Sequence, residues 1–211
     1  MFDSVHDAVA DIRQGKMIIV VDSEDRENEG DLIMSAELCM PEDINFMITH
    51  ARGLVCTPLE RHRAMKLSLP LMLRKNEDKD HCRFTVSCDL REGITTGISA
   101  ADRARTVRAL ADDLSVEGDF VSPGHVFPII ADTGGLAARQ GHTEATVALM
   151  QLAGLTPVGV ICEIIREDGE MVRGDDLLAF KKKHALKLIT IEALREHLGI
   201  HLDTIIDRQH A

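Results

Sequence analysis

Short, continuously apolar runs alternate with amphipathic segments along this chain, and this alternation restricts the fold more than any other feature. Apolar runs predict strands, and apolar side chains at helical spacing predict helices. The predicted strands cover residues 17–21, 54–57, 84–88, 126–131, 158–165 and 188–190. The predicted helices cover residues 4–14, 41–51, 60–67, 99–114, 143–153, 176–183 and 191–198. Interleaved strands and helices favour an α/β (α+β) fold with a mixed, twisted β-sheet covered by helices on both faces.

The chain shows no internal boundary. No linker, low-complexity stretch or repeat interrupts its 211 residues, so a single three-layer domain over 1–211 is expected. The N-terminus lacks the layout of a signal peptide, and no apolar stretch approaches the ~18 to 20 residues that span a bilayer. We therefore expect a soluble, cytoplasmic protein. The five scattered cysteines, without a C-x-x-C spacing, are interpreted as reduced thiols.

The net charge of −11 limits the partners that the chain can bind. Nucleic acid and anionic membranes are bound chiefly through clustered Lys and Arg, so neither is expected as a partner. A small anionic substrate stays compatible, because it requires only one local positive pocket. The motifs of nucleotide phosphotransfer, dinucleotide redox chemistry, zinc peptidases and serine hydrolases are all absent from the sequence.

An acidic segment, D-S-E-D-R-E-N-E-G-D at 22–31, directly follows the first predicted strand. It places six carboxylates and one arginine in ten residues, a density that requires a counter-charge. A divalent cation, a phosphorylated ligand held by the arginine, or both would supply it. A turn at the end of a strand could project Arg26, Glu27, Glu29 and Asp31 into one crevice at the edge of the sheet. The alternative is a solvated acidic turn without a ligand.

A second candidate site precedes the helix predicted over 143–153. A helix N-terminus carries unpaired N–H groups and a partial positive charge, which together favour a phosphate. The segment there is R-Q-G-H-T-E at 139–144, which contains Arg139, Gln140, Gly141, His142 and Thr143. His142 could supply a ring nitrogen to a metal ion already held by a carboxylate. The alternative is an ordinary helix start with Thr143 as the cap.

Two further residues could carry acid–base chemistry. His125 ends the turn 122–125 that leads into a strand, and Glu163 lies within the apolar run 158–165. A carboxylate inside a buried strand is costly unless it is paired or protonated, so Glu163 is a candidate acid or base. The alternative is an internal salt bridge. Taken alone, these residues indicate magnesium-assisted acid–base chemistry on a small phosphorylated metabolite.

Five motifs in this order resemble the 3,4-dihydroxy-2-butanone 4-phosphate synthase family of riboflavin biosynthesis. They are D-x-E-D-R-E-N-E-G-D at 22–31, T-T-G-I-S-A-A-D-R at 95–103, P-G-H-V-F-P at 123–128, R-x-G-H-T-E-A-T at 139–146 and G-V-I-C-E at 159–163. The resemblance implies a lyase that converts D-ribulose 5-phosphate to L-3,4-dihydroxy-2-butanone 4-phosphate and formate through a magnesium-stabilised enediolate. It also implies a homodimer with active sites at the subunit interface.

The resemblance also implies residue roles. Glu27 and His142 would bind magnesium, with two ions per site and manganese as an alternative metal. His125 and Glu163 would be catalytic, with Glu29 or Asp31 as helpers. The substrate-binding residues would be Arg26, Glu27, Asp31, Arg139, Gln140, Gly141, His142, Thr143 and Glu163.

Some features leave other interpretations open. A magnesium-dependent sugar-phosphate phosphatase or a divalent-ion sensor could use the same acidic segment. Ser23 stands where the family commonly has an aspartate, the loop 75–82 is unusually charged for the family, and a stand-alone form is expected from the length. The metal hypothesis requires Glu27 and His142 to lie within roughly 10 Å of each other.

Overall fold

The computed structural model describes residues 1–73 and 82–200, and its centre is a seven-stranded mixed sheet in the order β4-β5-β3-β6-β2-β1-β7. The charged loop singled out above, apart from Cys82, lies outside the described residues. The strands are β1 Ile18–Val21, β2 Gly30–Ser35, β3 Cys56–Leu59, β4 Cys88–Leu90, β5 Phe120–Ile130, β6 Gly159–Glu163 and β7 Lys187–Thr190. Pairs β1/β7 and β3/β5 are parallel, and the other neighbouring pairs are antiparallel.

Seven α-helices accompany these strands within the described part of the chain. They are α1 Val5–Arg13, α2 Pro41–Phe46, α3 Arg61–Lys66, α4 Ala100–Ala111, α5 His142–Ala153, α6 Gly174–His184 and α7 Ile191–His197. Their ends follow local chemistry: the Ser4 and Ser99 side chains accept N–H groups of the first turns of α1 and α4, and Gly154 ends α5 with a φ of 71°. No helix in residues 1–73 and 82–200 has the length and apolarity to cross a membrane.

The two faces of the sheet bury separate hydrophobic layers. One layer joins the sheet to α1, α5 and α7 through residues such as Ile12, Leu149 and Leu194. The other layer joins it to α2, α4 and α6 through residues such as Ile44, Leu110 and Leu177. Both faces are covered because successive strand residues point to opposite sides and both sets are apolar. The predicted mixed sheet covered by helices on both faces is therefore confirmed.

Several predicted boundaries were wrong. β2 was missed because it contains only three consecutive apolar residues, 32–34, which lie between Asp31 and Ser35. All six residues of the strand are nevertheless buried. The predicted turn 122–125 is part of the long strand β5, whose Ser122–Pro123 peptide bond is cis. The helix predicted to end near residue 114 ends at Ala111, and α2 continues as a π-helical segment, Met47–Ala51. Residues 84–87 form only isolated bridges before β4 begins.

The missed strand explains how the acidic segment is held. β1 and β2 are antiparallel neighbours, with Val21 opposite Gly30, so residues 22–29 form the loop that joins them. β6 pairs with the other edge of β2, and α5 packs across β2 and β6. The acidic loop, the end of β6 and the start of α5 therefore meet at one edge of the sheet.

Candidate metal centre and active site

Asp22 organises the acidic loop. Its carboxylate, which is 1% exposed, accepts the Arg26 guanidinium at 2.7 Å on Oδ2. The same carboxylate accepts the backbone N–H of Glu27 at 3.2 Å and that of Glu29 at 2.9 Å. A carboxylate buried without donors would be costly, so these three donors must stay close to Asp22. The loop therefore folds around the Asp22 side chain.

Glu27 and His142 come together beneath this loop. Nδ1 of His142, the first residue of α5, lies 3.9 Å from Glu27 Oε2 and 4.0 Å from Asp31 Oδ1. Ligand atoms of Asp22, Glu27 and His142 all lie within 4.8 Å of one another. A divalent ion with bonds of about 2.1 Å can bridge Glu27 and His142. Asp22 accepts three donors, and we assign it to holding the loop. Arg26 also donates to Glu27 Oε2 at 2.9 Å and to Glu27 Oε1 at 3.1 Å, so an ion bound by Glu27 would replace part of that ion pair.

Burial of His142 favours the form that binds metal. The residue is 6% exposed, and burial lowers its pKa to about 4, an effect that the nearby Arg26 and Arg139 charges reinforce. The ring is therefore neutral at pH 7, and a metal ligand must be unprotonated. Nε2 of the same ring is buried and has no hydrogen-bond partner among the described residues. The Glu27 carboxylate and a neutral His142 imidazole thus form a donor pair that fits a divalent ion, with Asp22 beside them.

Asp31 and Glu163 face each other across β2 and β6 in the strand register. Asp31 is 3% exposed, and its pKa is raised well above the usual range, first by burial and then by the negative charges of Glu163 and Glu27. Glu163 is half-buried at the end of β6, and its Oε2 accepts the Leu54 backbone N–H at 2.8 Å. A backbone hydrogen bond thus takes the place of the salt bridge that we considered. Asp31 is therefore a carboxyl group with a raised proton affinity.

Glu29 lies at the outer side of the same group. Its Oε1 is 3.3 Å from Nη2 of Arg173. Burial raises the pKa of Glu29, and the Glu27 charge raises it further. Glu29 therefore lies in the negative potential of the loop and also contacts Arg173. The sequence alone did not predict that contact.

The segment before α5 holds an arginine in a fixed position. Arg139 Nη1 donates to Glu144 Oε2 at 2.6 Å, and Glu144 Oε1 accepts the Asp132 backbone N–H at 2.9 Å. A Cβ atom on Gly141 would lie 2.2 Å from Arg139 Nη1, so the glycine leaves space for the guanidinium. Gln140 is exposed. This arrangement presents a cation beside the N-terminus of a 12-residue helix.

The helix cap differs from the alternative that we considered. The residue at the N-cap of α5 is Gly141, with extended backbone angles, and not Thr143. Thr143 lies in the first turn and is 4% exposed, and His142 begins the helix rather than preceding it. The first-turn N–H groups are consequently not satisfied by a capping side chain.

His125 lies apart from this group. It belongs to β5, and β3 lies between β5 and β6 in the sheet. At ordinary strand spacing, the Cα atom of His125 is therefore about 10 Å from strand β6, which carries Glu163. Its Nδ1 lies 2.7 Å from Asp89 Oδ2, and Asp89 Oδ1 also accepts the His125 backbone N–H at 2.8 Å. The structure thus brings Arg26, Glu27, Glu29, Asp31, His142 and Glu163 together, with Arg139 beside them, and leaves His125 in a separate pair.

Four residues that support the site were not identified from the sequence as site residues: Asp22, Asp89, Glu144 and Arg173. Asp22 and Glu144 lie in segments that we had singled out, so their charge was a usable signal. Asp89 and Arg173 contact residues far away in the chain, and no local pattern indicates such contacts.

Comparison with known proteins agrees with this geometry. The family described as 3,4-dihydroxy-2-butanone 4-phosphate synthase matches residues 6–197. A 3,4-dihydroxy-2-butanone 4-phosphate synthase of Pseudomonas aeruginosa is 53% identical over 96% of this chain and 56% of its own length. A riboflavin biosynthesis protein RibBA of Bacillus cytotoxicus is 54% identical over 99% of this chain and 52% of its own. The chain thus spans about half the length of these curated relatives.

Solved structures are similar throughout the fold. A 3,4-dihydroxy-2-butanone 4-phosphate synthase in complex with two magnesium ions superposes with a TM-score of 0.91 at 42% identity, covering 93% of this chain and 97% of that one. The two-domain RibBX of A. baumannii gives a TM-score of 0.89 at 53% identity, covering 92% of this chain and 57% of that one. With a family match over nearly all of its length, this chain belongs to the 3,4-dihydroxy-2-butanone 4-phosphate synthase family.

Proposed function

We propose that the protein is a lyase that converts D-ribulose 5-phosphate to L-3,4-dihydroxy-2-butanone 4-phosphate and formate in riboflavin biosynthesis. Family membership supports this reaction. The observation that carries the proposal is the 3.9 Å approach of Glu27 Oε2 to His142 Nδ1, with Asp31 beside them. Residues that are distant in the chain thereby form one group suited to a metal ion and a proton acceptor.

We propose magnesium as the metal, with Glu27 and His142 as its protein ligands. Two ions per site are proposed because a relative was crystallised with two magnesium ions, and manganese is proposed as a substitute. When bound, magnesium supplies electrostatic stabilisation for the negative charge that develops on the substrate oxygens. Arg139 and the first turn of α5 would hold the phosphate group, and Arg26 would complete the binding of the sugar phosphate.

The acid–base steps require a group that accepts and then returns a proton. The raised pKa of Asp31 brings its proton affinity closer to neutrality, which suits that role. Glu163 lies opposite Asp31, and one proton can be exchanged between such neighbouring carboxyl groups. We propose that this pair moves the proton next to the substrate carbonyl, with Glu29 as a helper.

We further propose a homodimer with active sites at the subunit interface. The position of His125 supports this arrangement, because β3 separates it from the carboxylates of its own protomer while its side chain is 42% exposed. Asp89 bonds to Nδ1, which leaves Nε2 of His125 directed away from Asp89 and available to a substrate. A second copy of the chain would bring that nitrogen to the site.

The reaction is tested by mixing the protein with ribulose 5-phosphate and magnesium and measuring formate and inorganic phosphate. We expect formate, abolished by a chelator and reduced by several orders of magnitude in Glu27→Gln. Glu24→Gln is the matched control, since Glu24 is an exposed acid of the same loop. Release of inorganic phosphate instead would establish the phosphatase, and metal binding without turnover would establish an ion sensor.

The dimer is tested by mixing two inactive variants, Glu27→Gln and His125→Ala, in one heterodimer. If His125 acts on the site of its partner, one of the two sites in the heterodimer is fully wild type, and activity returns. If each site uses its own His125, both sites carry a substitution and the mixture stays inactive.

A further inference from the structure

Arg173 contacts the acidic loop from outside the metal site. It is the N-cap residue of α6, and its side chain is 45% exposed. Its Nε donates to the Asn28 carbonyl at 2.9 Å, and its Nη2 donates to the Glu27 carbonyl at 3.3 Å. The same Nη2 lies 3.3 Å from Glu29 Oε1. One guanidinium therefore binds three consecutive residues of the loop.

These contacts fix the two peptide groups that flank Asn28. In the group between Glu27 and Asn28, the carbonyl accepts Arg173 and the N–H donates to the Ser23 carbonyl at 3.2 Å. In the group between Asn28 and Glu29, the carbonyl accepts Arg173 and the N–H donates to Asp22 at 2.9 Å. Rotation of either peptide group would break a bond at each of its two edges, so the direction of Glu27 is set from both sides.

The like charges of the loop require such support. Asn28 has a φ of 54°, a left-handed conformation that asparagine adopts more readily than most non-glycine residues, so the backbone itself adds little strain. The carboxylates of Asp22, Glu27 and Glu29 repel one another within the loop. Arg26 offsets part of this repulsion through its ion pairs with Asp22 and Glu27, and Arg173 offsets the part that involves Glu29. Without Arg173, the remaining repulsion and the loss of its bonds to the Glu27 and Asn28 carbonyls favour an opened loop in which Glu27 turns away from His142.

We propose that Arg173 is a positioning residue that holds the acidic loop in the shape that binds the metal ion. This inference rests on the proposed function, because it assumes that Glu27 and His142 are the ligands. Residues that orient a metal ligand commonly change metal affinity by about 10- to 100-fold when they are replaced. A positive charge near a metal site has the opposite electrostatic effect, since it repels the cation. The sign of the change in affinity therefore separates positioning from charge alone.

The test is to titrate the full chain with Mn²⁺ without substrate. The EPR signal of unbound Mn²⁺ measures how much of the metal is bound. We expect Arg173→Gln to bind Mn²⁺ about tenfold more weakly than the wild type. Arg166→Gln is the matched control: Arg166 is 42% exposed and pairs with Asp168 and Asp176, away from the loop. Arg173→Lys should be intermediate, because an ammonium is a point charge and cannot reproduce the planar fork of donors.

Kinetics provides a second readout. The concentration of metal at half-maximal activity should rise in Arg173→Gln, and kcat at saturating metal should stay close to that of the wild type. Thermal unfolding of the metal-free variant checks that it folds. Unchanged or tighter Mn²⁺ binding in Arg173→Gln would overturn the inference and leave the proposed function intact. If the wild type binds no Mn²⁺, or Glu27→Gln binds it equally well, the proposed metal site itself fails, and this inference with it.

Discussion

Two histidines of this protein each lie next to carboxylates, yet their surroundings differ. His142 is 6% exposed and lies 3.9 to 4.0 Å from two carboxylates, and burial lowers its pKa to about 4. His125 is 42% exposed and lies 2.7 Å from a single carboxylate, Asp89. The first ring is kept neutral inside a negative cluster, whereas the second is oriented by one short contact and remains accessible.

The difference indicates how burial, rather than residue type, would separate the two roles that we propose for these histidines. A neutral ring among carboxylates can bind a cation that those carboxylates attract. A ring whose Nδ1 bonds to a carboxylate has its other nitrogen presented for proton transfer. The four experiments below test this distinction, beginning with the largest expected effect.

Removal of each imidazole should affect different quantities. We expect His142→Ala to lose both Mn²⁺ binding and formate production by several orders of magnitude. We expect His125→Ala to lower kcat by about 10²- to 10⁴-fold, the usual contribution of an acid or base, with unchanged Mn²⁺ affinity. Metal titration and initial rates measure the two quantities. His6→Ala, at a histidine that is 88% exposed, is the control. Equal loss of Mn²⁺ affinity in both variants would remove the distinction.

A glycine next to His125 offers a finer test. A Cβ atom on Gly97 would lie 2.1 Å from Asp89 Oδ2 and 2.7 Å from His125 Nδ1. Gly97→Ala should therefore displace the ring and lower kcat by about 10- to 100-fold, again without changing Mn²⁺ affinity. Gly93→Ala is the matched control, because Gly93 also has a positive φ but no atom within 4 Å of such a Cβ. Similar rates for the two variants would show that strain of the backbone, and not the Asp89–His125 contact, is being measured.

The arginine beside His142 should act on substrate binding alone. In Glu144→Gln the charged contact with Arg139 becomes neutral, while the side chain can still accept the Asp132 N–H. We expect the KM for ribulose 5-phosphate to rise about tenfold, with little change in Mn²⁺ affinity. Glu192→Gln, in the first turn of α7, is a control for loss of an acidic helix residue. A change in metal affinity instead would place Glu144 in the metal site.

The smallest effect concerns stability. Because the pKa of Asp31 is raised on folding, the folded state binds its proton more tightly than the unfolded chain does. The free energy of unfolding of the wild type therefore falls, relative to that of Asp31→Asn, as the pH rises through the pKa of the folded state. Urea unfolding with a chelator should show Asp31→Asn more stable by about 1 kcal/mol at pH 8, with the difference vanishing near pH 4. Asp25→Asn, at an exposed acid of the loop, should show no such trend. A constant difference at all pH values would contradict the raised pKa.

His142 changes stability in the opposite direction. Its pKa falls from an ordinary 6.5 to about 4 on folding, so the folded state binds fewer protons than the unfolded chain. Stability is therefore lost as the pH falls from 6.5 towards 4. This loss occurs in the wild type and in Asp31→Asn. Because His142 Nδ1 lies 4.0 Å from Asp31 Oδ1, the comparison of the two reports Asp31 together with its effect on His142.

The fold and the main site segments were predictable because their signals are local. The apolar run before Asp22 and the helical pattern from 143 to 153 both identify elements of the correct type. β2 was not predictable in the same way: its Gly30 and Asp31 belong to the acidic segment, and helices on both faces bury it regardless of alternation. Tertiary packing, and not strand propensity, defines that strand.

The contacts that support the site were not predictable from the sequence. Arg173 bonds to Asn28, and Asp89 bonds to His125, over separations that only strand order and helix packing determine. Asp31 could be named as a candidate, but its raised pKa depends first on burial and then on the charge of Glu163, its partner on β6, and the sequence shows neither. Glu163 could be named from its place in an apolar run, but the Leu54 N–H that it accepts could not.

The antiparallel pairing of β1 with β2 limits how the length of this chain can vary. Adding or deleting one residue inside β2 would turn Asp31 and Ile33 to the opposite side of the sheet, because side chains alternate at every position. The exposed tip at Glu24 and Asp25 carries no such constraint. Within this hairpin, a change of length that keeps the strand register is therefore possible only in the loop, where it would disturb the turn in which the Arg26 and Asn28 N–H groups donate to the Ser23 carbonyl. Strand register and this turn together fix the length of the hairpin.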